Sequence, residues 1–319
     1  MSINKNTEFS FLESLRNDFR LDLIGDDCAV LPRSEDTDLL ATTDTLVEGI
    51  DFRLEWAVPE LLGKKALAVS VSDVYAMGGS PEYALSVISV SKNLWKDDFA
   101  SRLMTGMIEY AKSVGVQIAG GDISETRSDA SVTVTVLGSA PRQLAVPRSG
   151  ALEGDHIYVN GTLGGAGAGL KLLESGARID NSDPGIRNLI QKQLAPEPSP
   201  LAINRHLVDA MIDISDGLVA DLDHICTASG VGAELFAEMI PIEPDIERTG
   251  FDRGKALEFA LRGGEDFRLL LTSPSDDLEN IPGSELKRIG RILSKSEKLS
   301  IVEEGVRSSL NRKGFEHFS

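Results

Sequence analysis

The sequence predicts a two-domain protein of the α/β class, in part α+β. Three observations carry this expectation. The chain has 319 residues, more than one hydrophobic core ordinarily fills. It holds 30 glycines and only 5% aromatic residues, which suits layers of strand and helix joined by tight turns better than a helical bundle. Strand-like and helix-like segments also alternate in both halves. With 41% hydrophobic residues, the chain can bury such cores.

The elements follow in order. Phe9 to Phe19 reads as a short helix, and Leu39 to Thr43 as a strand running into an acidic turn at Asp44. Glu60 to Ala76 carries apolar residues at helical spacing and stops at Gly78-Gly79. Tyr83 to Val90 is rich in β-branched residues and reads as a strand. Asp97 to Val114 is an amphipathic helix stopped at Gly115. Val116 to Ala119 is a strand broken by Gly120-Gly121, and Ser131 to Leu137 alternates Val with Ser or Thr, the period of a half-buried strand.

Pro141 to Gly154 mixes proline, arginine and glycine and marks the candidate boundary, dividing the chain into residues 1–145 and 146–319. His156 to Asn160 opens the second half as a strand, followed by a glycine-opened helix from Gly164 to Ser175. Asp180 to Pro200 is polar and proline-rich and reads as an exposed loop. Then come a strand at Ala210 to Ile214, helices at Leu218 to Ala228 and Ala256 to Leu261, and a strand at Phe267 to Leu271.

Charge narrows the partners. A formal net charge of −18 repels phosphate backbones and anionic lipid, so neither nucleic acid nor a membrane surface is expected as a partner. A phosphorylated ligand fits only where carboxylates are matched by divalent metal. Two cysteines, Cys28 and Cys226, have no zinc or disulfide spacing. Met1 to Lys5 is polar, and no apolar stretch approaches the roughly 18 residues that span a bilayer. A soluble cytoplasmic protein is expected.

Several nucleotide-binding signatures fail. Gly164 to Lys171 follows a strand and opens a helix like a phosphate loop, but a Walker motif requires Gly-Lys-Ser/Thr at its end and Leu170 intervenes. The third glycine of a dinucleotide fingerprint would fall on Leu170 as well. The segment therefore reads as a glycine-rich turn permitting close packing. No His-Arg-Asp catalytic loop occurs, and Glu265-Asp266-Phe267 is followed by Arg268. No histidine sits in a nucleophile-elbow motif.

What remains is aspartate at turns, repeatedly. It stands at Gly25-Asp26-Asp27, Thr42-Thr43-Asp44, Ser72-Asp73, Gly120-Gly121-Asp122, Asp213-Ile214-Ser215-Asp216-Gly217, and beside Gly263-Gly264-Glu265. Singly, an aspartate after a strand is a turn former or a cap. Together, carboxylates beside small residues in six places suit several magnesium ions, which take hard oxygen ligands and substrate phosphates. Asp213 and Asp216 flank one tight turn, so both can reach one metal region.

These motifs have a counterpart. Gly-Asp-Asp-Cys-Ala at 25–29, Thr-Thr-Asp-Thr-Leu-Val-Glu-Gly at 42–49, Ser-Asp-Val-Tyr-Ala-Met-Gly-Gly at 72–79, Gly-Gly-Asp at 120–122, Arg-Ser-Gly-Ala at 148–151, Ile-Asp-Ile-Ser-Asp-Gly-Leu at 212–218, Gly-Gly-Glu-Asp-Phe at 263–267 and Lys-Gly-Phe-Glu-His-Phe at 313–318 resemble the thiamine-monophosphate kinase family. The match runs through nearly the whole chain. Some single motifs are shared with the wider superfamily of aminoimidazole ribonucleotide synthetase and selenophosphate synthetase. The absence of cysteine from Met1 to Asp22 argues against the latter.

The resemblance implies a homodimer of two-domain subunits with the aminoimidazole ribonucleotide synthetase-like fold. An N-terminal domain would bind ATP and Mg2+, and a C-terminal domain would complete the cleft. Carried over by motif, Asp27, Thr42, Thr43, Asp44, Asp73, Asp122, Asp213 and Asp216 would bind Mg2+, and Gly121, Asp122, Arg148 and Ser215 would touch ATP. Asp51, Glu265 and Phe315 would meet thiamine monophosphate. Two departures stand out: Asp51 replaces a substrate-contacting histidine of many relatives, and Arg312 replaces a tryptophan before Lys-Gly-aromatic.

The expected reaction gives thiamine diphosphate and ADP, the last step of thiamine diphosphate formation. The attacking phosphate oxygen is already ionised at neutral pH and needs no general base. Direct in-line transfer is expected, with positioning and charge neutralisation as the main work. A sister activity of the superfamily, or a nucleotide-binding regulator without turnover, is the competing reading. ADP release that requires a phosphorylated acceptor separates them.

Overall fold

The computed structural model describes Phe11, Arg16 and residues 23–311. Phe11 and Arg16 are helical; the rest of the expected Phe9 to Phe19 helix lies outside the described residues, as do Arg312 and Phe315.

The described residues form two mixed sheets packed by helices. The first contains β1 (Ala29–Pro32), β2 (Thr37–Val47), β3 (Ser80–Val90), β4 (Gln117–Glu125) and β5 (Ser131–Pro141), in the spatial order β1-β2-β5-β3-β4. Only β3 and β4 run parallel in it. The second contains β6 (His156–Asn160), β7 (Ala210–Asp213), β8 (Gly232–Phe236), β9 (Leu269–Ser273), β10 (Leu286–Leu293), β11 (Ser300–Glu303) and β12 (Val306–Ser309). Its order is β12-β11-β8-β10-β6-β9-β7, with β11 parallel to β8.

The period-2 reading of β5 holds. Val132, Val134 and Val136 are buried, while Ser131, Thr133 and Thr135 alternate to the other face. Above the valines lies α1 (Pro59–Ala76), which begins on a proline, whose missing N–H costs nothing in a first turn. This helix is buried almost all round, because it also packs on α3 (Phe99–Ser113) and reaches β7 of the second sheet. The α1–α3 crossing is a backbone contact. A Cβ on Gly63 would stand 1.9 Å from the Leu103 carbonyl oxygen, and one on Gly106 would stand 1.9 Å from that of Glu60.

Three local readings change. Asp44 does not form a turn, because β2 runs on through it to Val47, paired with β5 along its whole length. The expected 180–200 loop contains a helix, α5 (Pro184–Leu194), preceded by α4 (Gly165–Glu174). Asp183 caps α5 by accepting from the N–H groups of Gly185 and Ile186, Pro184 opens it, and Leu189, Ile190 and Leu194 bury one face. The prolines and polar residues are the start signal of a helix rather than a loop's punctuation. Gly120-Gly121 also does not end β4, which continues to Glu125. Glycine is needed there because a Cβ on Gly121 would meet the Ser86 carbonyl oxygen of β3 at 1.8 Å.

The remaining helices are α2 (Lys92–Lys96), α6 (Leu218–Ser229), α7 (Asp245–Arg248) and α8 (Arg253–Arg262). One apolar cluster runs through both halves, joining Leu40, Val71, Val74 and Met77 to Tyr158, Met211, Leu269 and Leu271. A second cluster fills the space between the seven-stranded sheet and α6 and α8. No helix among the described residues is long and apolar enough to cross a membrane.

Candidate active site

The site is organised by α1. Its Ser70 hydroxyl lies 2.7 Å from Asp44 Oδ2 on β2, and its Asp73 accepts the Thr42 hydroxyl proton from the same strand. Two residues on from Ser70, the Ser72 hydroxyl donates to Asp213 Oδ2 at the end of β7, at 2.6 Å. Asp27, just ahead of β1, is held from the inter-domain segment by Arg148, whose Nη2 stands 2.5 Å from Asp27 Oδ1. Asp26 accepts the Arg148 backbone N–H at 2.8 Å. Carboxylate oxygens of Asp27, Asp73 and Asp213 consequently lie within 4.8 Å of one another.

So many buried acids perturb one another. Burial raises Asp27 above the ordinary carboxylate range, against the lowering effect of Arg148. It raises Asp44 too, and lifts Asp73 well above its usual value, with Asp44, Asp213 and Asp27 adding like charge. Asp213 is pushed up to about 7 by burial and then by Asp27. Desolvation and like-charge repulsion both disfavour the ionised cluster. Asp27 Oδ2 is buried without a hydrogen-bond partner, and so is Arg148 Nε. Carboxylates, a threonine hydroxyl and an orphaned buried oxygen form the hard donor set that fits Mg2+.

Beside this cluster opens a cavity of about 520 Å³, lined among others by Asp44, Asp51, Lys65, Ser215, Asp216 and Glu265. The turn carrying Ser215 and the 263–267 segment are laced together. Glu265 N–H donates to the Ser215 carbonyl at 2.7 Å, and Phe267 N–H donates to that of Ile214 at 2.8 Å. Glu265 and Phe267 adopt positive φ, +55° and +47°, a conformation costly for side-chain-bearing residues and often kept at functional sites. Gly264 has φ +64°, and a Cβ there would stand 2.8 Å from the Ser215 carbonyl oxygen, so only glycine allows the approach. Asp51 lines the cavity while its Oδ2 accepts the Val47 N–H at 2.7 Å.

The expected residues therefore divide. Asp27, Thr42, Asp44, Asp73, Asp213 and Arg148 converge. Asp216 does not join Asp213's group; its carboxylate gathers with Asp221 and His224 instead. Thr43 and Asp122 do not converge either. Thr43 bonds to Thr135 across the face of the sheet away from α1, and Asp122 is exposed on β4 in register with exposed Val87. Gly121 is exposed on the same edge strand. Phe315 lies outside the described residues.

Four residues were given no role by the sequence reading. Ser70 and Ser72 orient acids, Lys65 enters the cavity, and Asp221 accepts the N–H groups of Asp216 and Gly217 at 3.2 and 3.1 Å. The available signal for the first three was polar side chains inside a helix otherwise apolar on every side. The phosphate-loop look-alike is structural. The Gly164 and Ala166 N–H groups at the start of α4 donate to the partly buried carboxylate of Asp266, at 2.6 and 3.1 Å, which fills the place an anion would take. A Cβ on Gly169 would meet the Leu189 carbonyl oxygen at 2.0 Å, so that glycine serves the close packing of α4 on α5.

The chain is similar to known proteins along most of its length. Residues 25–140 match the family model of the AIR synthase related protein N-terminal domain, and residues 153–301 match the C-terminal domain of the same family. A thiamine-monophosphate kinase of Salmonella typhimurium is 38% identical over 314 residues, 94% of each chain. One from Aquifex aeolicus is 33% identical over 322 residues, covering 100% of both. The solved structure of AaThiL complexed with AMPPCP and TMP is similar with a TM-score of 0.87 at 32% identity, over 100% of this chain and 99% of that one.

Proposed function

The chain belongs to the thiamine-monophosphate kinase family of AIR synthase related proteins, and from that premise we propose that it transfers the γ-phosphoryl group of ATP directly onto the phosphate of thiamine monophosphate. The products are thiamine diphosphate and ADP, and the reaction completes thiamine diphosphate synthesis in the cytoplasm. The observation that carries this reading is the convergence of Asp27, Asp73 and Asp213 within 4.8 Å beside the cavity.

Asp27, Asp73 and Asp213, with Thr42 and Asp44 at hand, would hold Mg2+, and Asp216 a further ion. Bound there, Mg2+ supplies the charge neutralisation that two approaching polyanions need. Arg148 has an Nε still without a partner and would donate it to a phosphate oxygen. Ser215 would contact the nucleotide. Thr43 and Asp122 face away from the cluster, so their part in metal and nucleotide binding, with that of Gly121, is proposed as separate from it. Asp51 and Glu265 line the cavity and, with Phe315, would meet the acceptor. The N-terminal part, to about residue 145, would supply most metal ligands, and the remainder would complete the cleft.

No proton need be removed from the acceptor, since a phosphate oxygen is the nucleophile. Burial and the neighbouring acids push the Cys28 thiol up, so it stays protonated and offers no thiolate for a covalent intermediate. Direct transfer should invert configuration at a chirally labelled γ-phosphorus; retention would sink it. The function itself is tested by ADP release with ATP and Mg2+ and either thiamine monophosphate, thiamine or no acceptor. Turnover with the monophosphate alone, yielding thiamine diphosphate, is expected. ADP release indifferent to the acceptor would overturn the reading.

A homodimer is part of the proposal. Tyr83, Leu85 and Val87 are 41%, 41% and 39% exposed on one face of β3, an apolar row flanked by Thr133 and Thr135 that suits a second copy better than water. Light scattering should return twice the chain mass, and Leu85→Glu should return the monomer mass. A wild-type monomer, or a dimer indifferent to that change, would refute it.

A further inference from the structure

The cavity contains a buried cation to which the reaction above gives no role. Lys65, on α1, is 2% exposed. Its ammonium stands 2.6 Å from Glu265 Oε1 and 3.4 Å from the Asp51 carbonyl oxygen. The other Glu265 oxygen accepts from the Gln193 side-chain amide on α5. Lys65, Gln193, Glu265 and Asp51 all line the same cavity. Glu265 is thus pinned from α1, from α5 and through its own backbone, which is held at φ +55°.

Such an arrangement is costly unless it does something. Burying an ammonium is unfavourable unless a partner compensates it, and an apolar residue of similar size is often no less stable there. Two consequences follow from the pairing. A carboxylate offers about four lone-pair positions; Lys65 and Gln193 take two, leaving the others to the cavity. And because Lys65 cancels the charge of Glu265, the carboxylate gains little from a full cation. It still makes a strong, directional hydrogen bond to a neutral N–H donor.

We propose that Lys65 is a positioning residue for acceptor selection: by neutralising and orienting Glu265, it makes that carboxylate a reader of an aromatic amine on the acceptor. This rests on the functional reading above, in which the acceptor carries an aminopyrimidine. Lys65 acts through Glu265 and touches neither the transferred phosphoryl group nor the metal ligands.

The test compares wild type with Lys65→Met, Lys65→Arg, Glu265→Gln and the Lys65→Met/Glu265→Gln double variant. Thiamine monophosphate is the substrate. The inhibitor is 4-methyl-5-(2-phosphooxyethyl)thiazole, which keeps the thiazole and phosphate but lacks the aminopyrimidine. Lys65→Met should raise KM for thiamine monophosphate about tenfold to a hundredfold, the loss of a hydrogen bond involving a charged group, with kcat little changed. Lys65→Arg should recover part of it. The double variant should be no worse than the poorer single one, and inhibition by the thiazole phosphate should be unchanged throughout.

Parallel loss of thiazole-phosphate inhibition would overturn the proposal by placing Lys65 on the phosphate. So would a fall in kcat at constant KM, or additive single effects. If Lys65→Met fails to fold, Gln193→Leu removes the other clamp on Glu265 and must show the same selectivity at smaller size. Calorimetric binding of thiamine monophosphate reads the contrast without turnover. Lys65-dependent binding by a protein that never transfers phosphate would sink the functional reading alone.

Discussion

Asp213→Asn will make the metal-free protein more stable and the enzyme nearly inactive. Asp213 is buried at the end of β7 and pushed up to about 7 by burial and by Asp27. The span from its ordinary 3.8 to about 7, at about 1.4 kcal/mol per unit, makes the gain from a neutral amide on the order of 1–4 kcal/mol at neutral pH. Ser72 can still donate to the amide oxygen, so no buried donor is stranded.

The sign follows from the raised value. Protonated Asp213 contributes stability that is complete below about 3.8 and is lost as the pH rises through about 7. The Tm of the metal-free wild type should therefore fall between about pH 4 and 7, and the fall should be shallower in the variant. Mg2+ should raise the wild-type Tm most at the alkaline end, where no proton has to be displaced. Turnover should drop by about 10²–10³, as when one preorganised charge-stabilising group is removed. Thermal unfolding with and without Mg2+, alongside ADP release, reads both. A destabilised Asp213→Asn, or one with full activity, would remove Asp213 from the metal site.

Gly63→Ala is expected to damage the protein more than its size suggests. The added methyl would lie 1.9 Å from the Leu103 carbonyl oxygen, and backbone cannot rotate aside as a side chain can. Overpacking of this kind costs about 1–3 kcal/mol. The helix propensity of alanine returns about 1 kcal/mol, leaving a net loss of up to about 2 kcal/mol. Activity should fall with stability, because α1 is the element that places Lys65, Ser70, Ser72 and Asp73. A Gly63→Ala enzyme with unchanged Tm and turnover would mean that α1 and α3 can separate without consequence.

How much of this was legible in the sequence differs by element. The Val132, Val134, Val136 alternation announces β5 because one face of that strand is solvated and the other covered. Strand β10 gives no such signal: a bulge between Arg288 and Gly290 breaks the register, so its buried Leu286, Ile289 and Ile292 do not alternate. Helix α5 was legible in Asp183-Pro184 but was outweighed by the surrounding polar residues. In the site, Asp27 and Asp213 are visible as acids beside strand ends, whereas Asp44 and Asp73 lie within β2 and α1, and the family resemblance is borne out by both domain matches. Their grouping is not visible, since it depends on which strand ends meet. The alternation of β2 nonetheless puts Thr42 and Asp44 on one face and Thr43 on the other, and that much can be deduced from a strand alone. Lys65 escaped notice because a lysine within a helix is ordinarily solvated.

The apolar cluster that runs through both halves constrains how ligands enter. Proteins built as two finished bodies on a hinge open by rotating about a thin, polar seam. Here Leu40, Val71 and Met77 share their packing with Tyr158, Met211 and Leu271, and Ser72 and Lys65 tie α1 to Asp213 and Glu265 across the same boundary. A swing wide enough to admit a nucleotide would drag that interior into water. The cavity is bordered by stretches that belong to no strand or helix, Ile50 to Val58 and Gly263 to Phe267 among them, and these, not the shared interior, are what a ligand has to pass. The body of the enzyme then serves as a rigid mould.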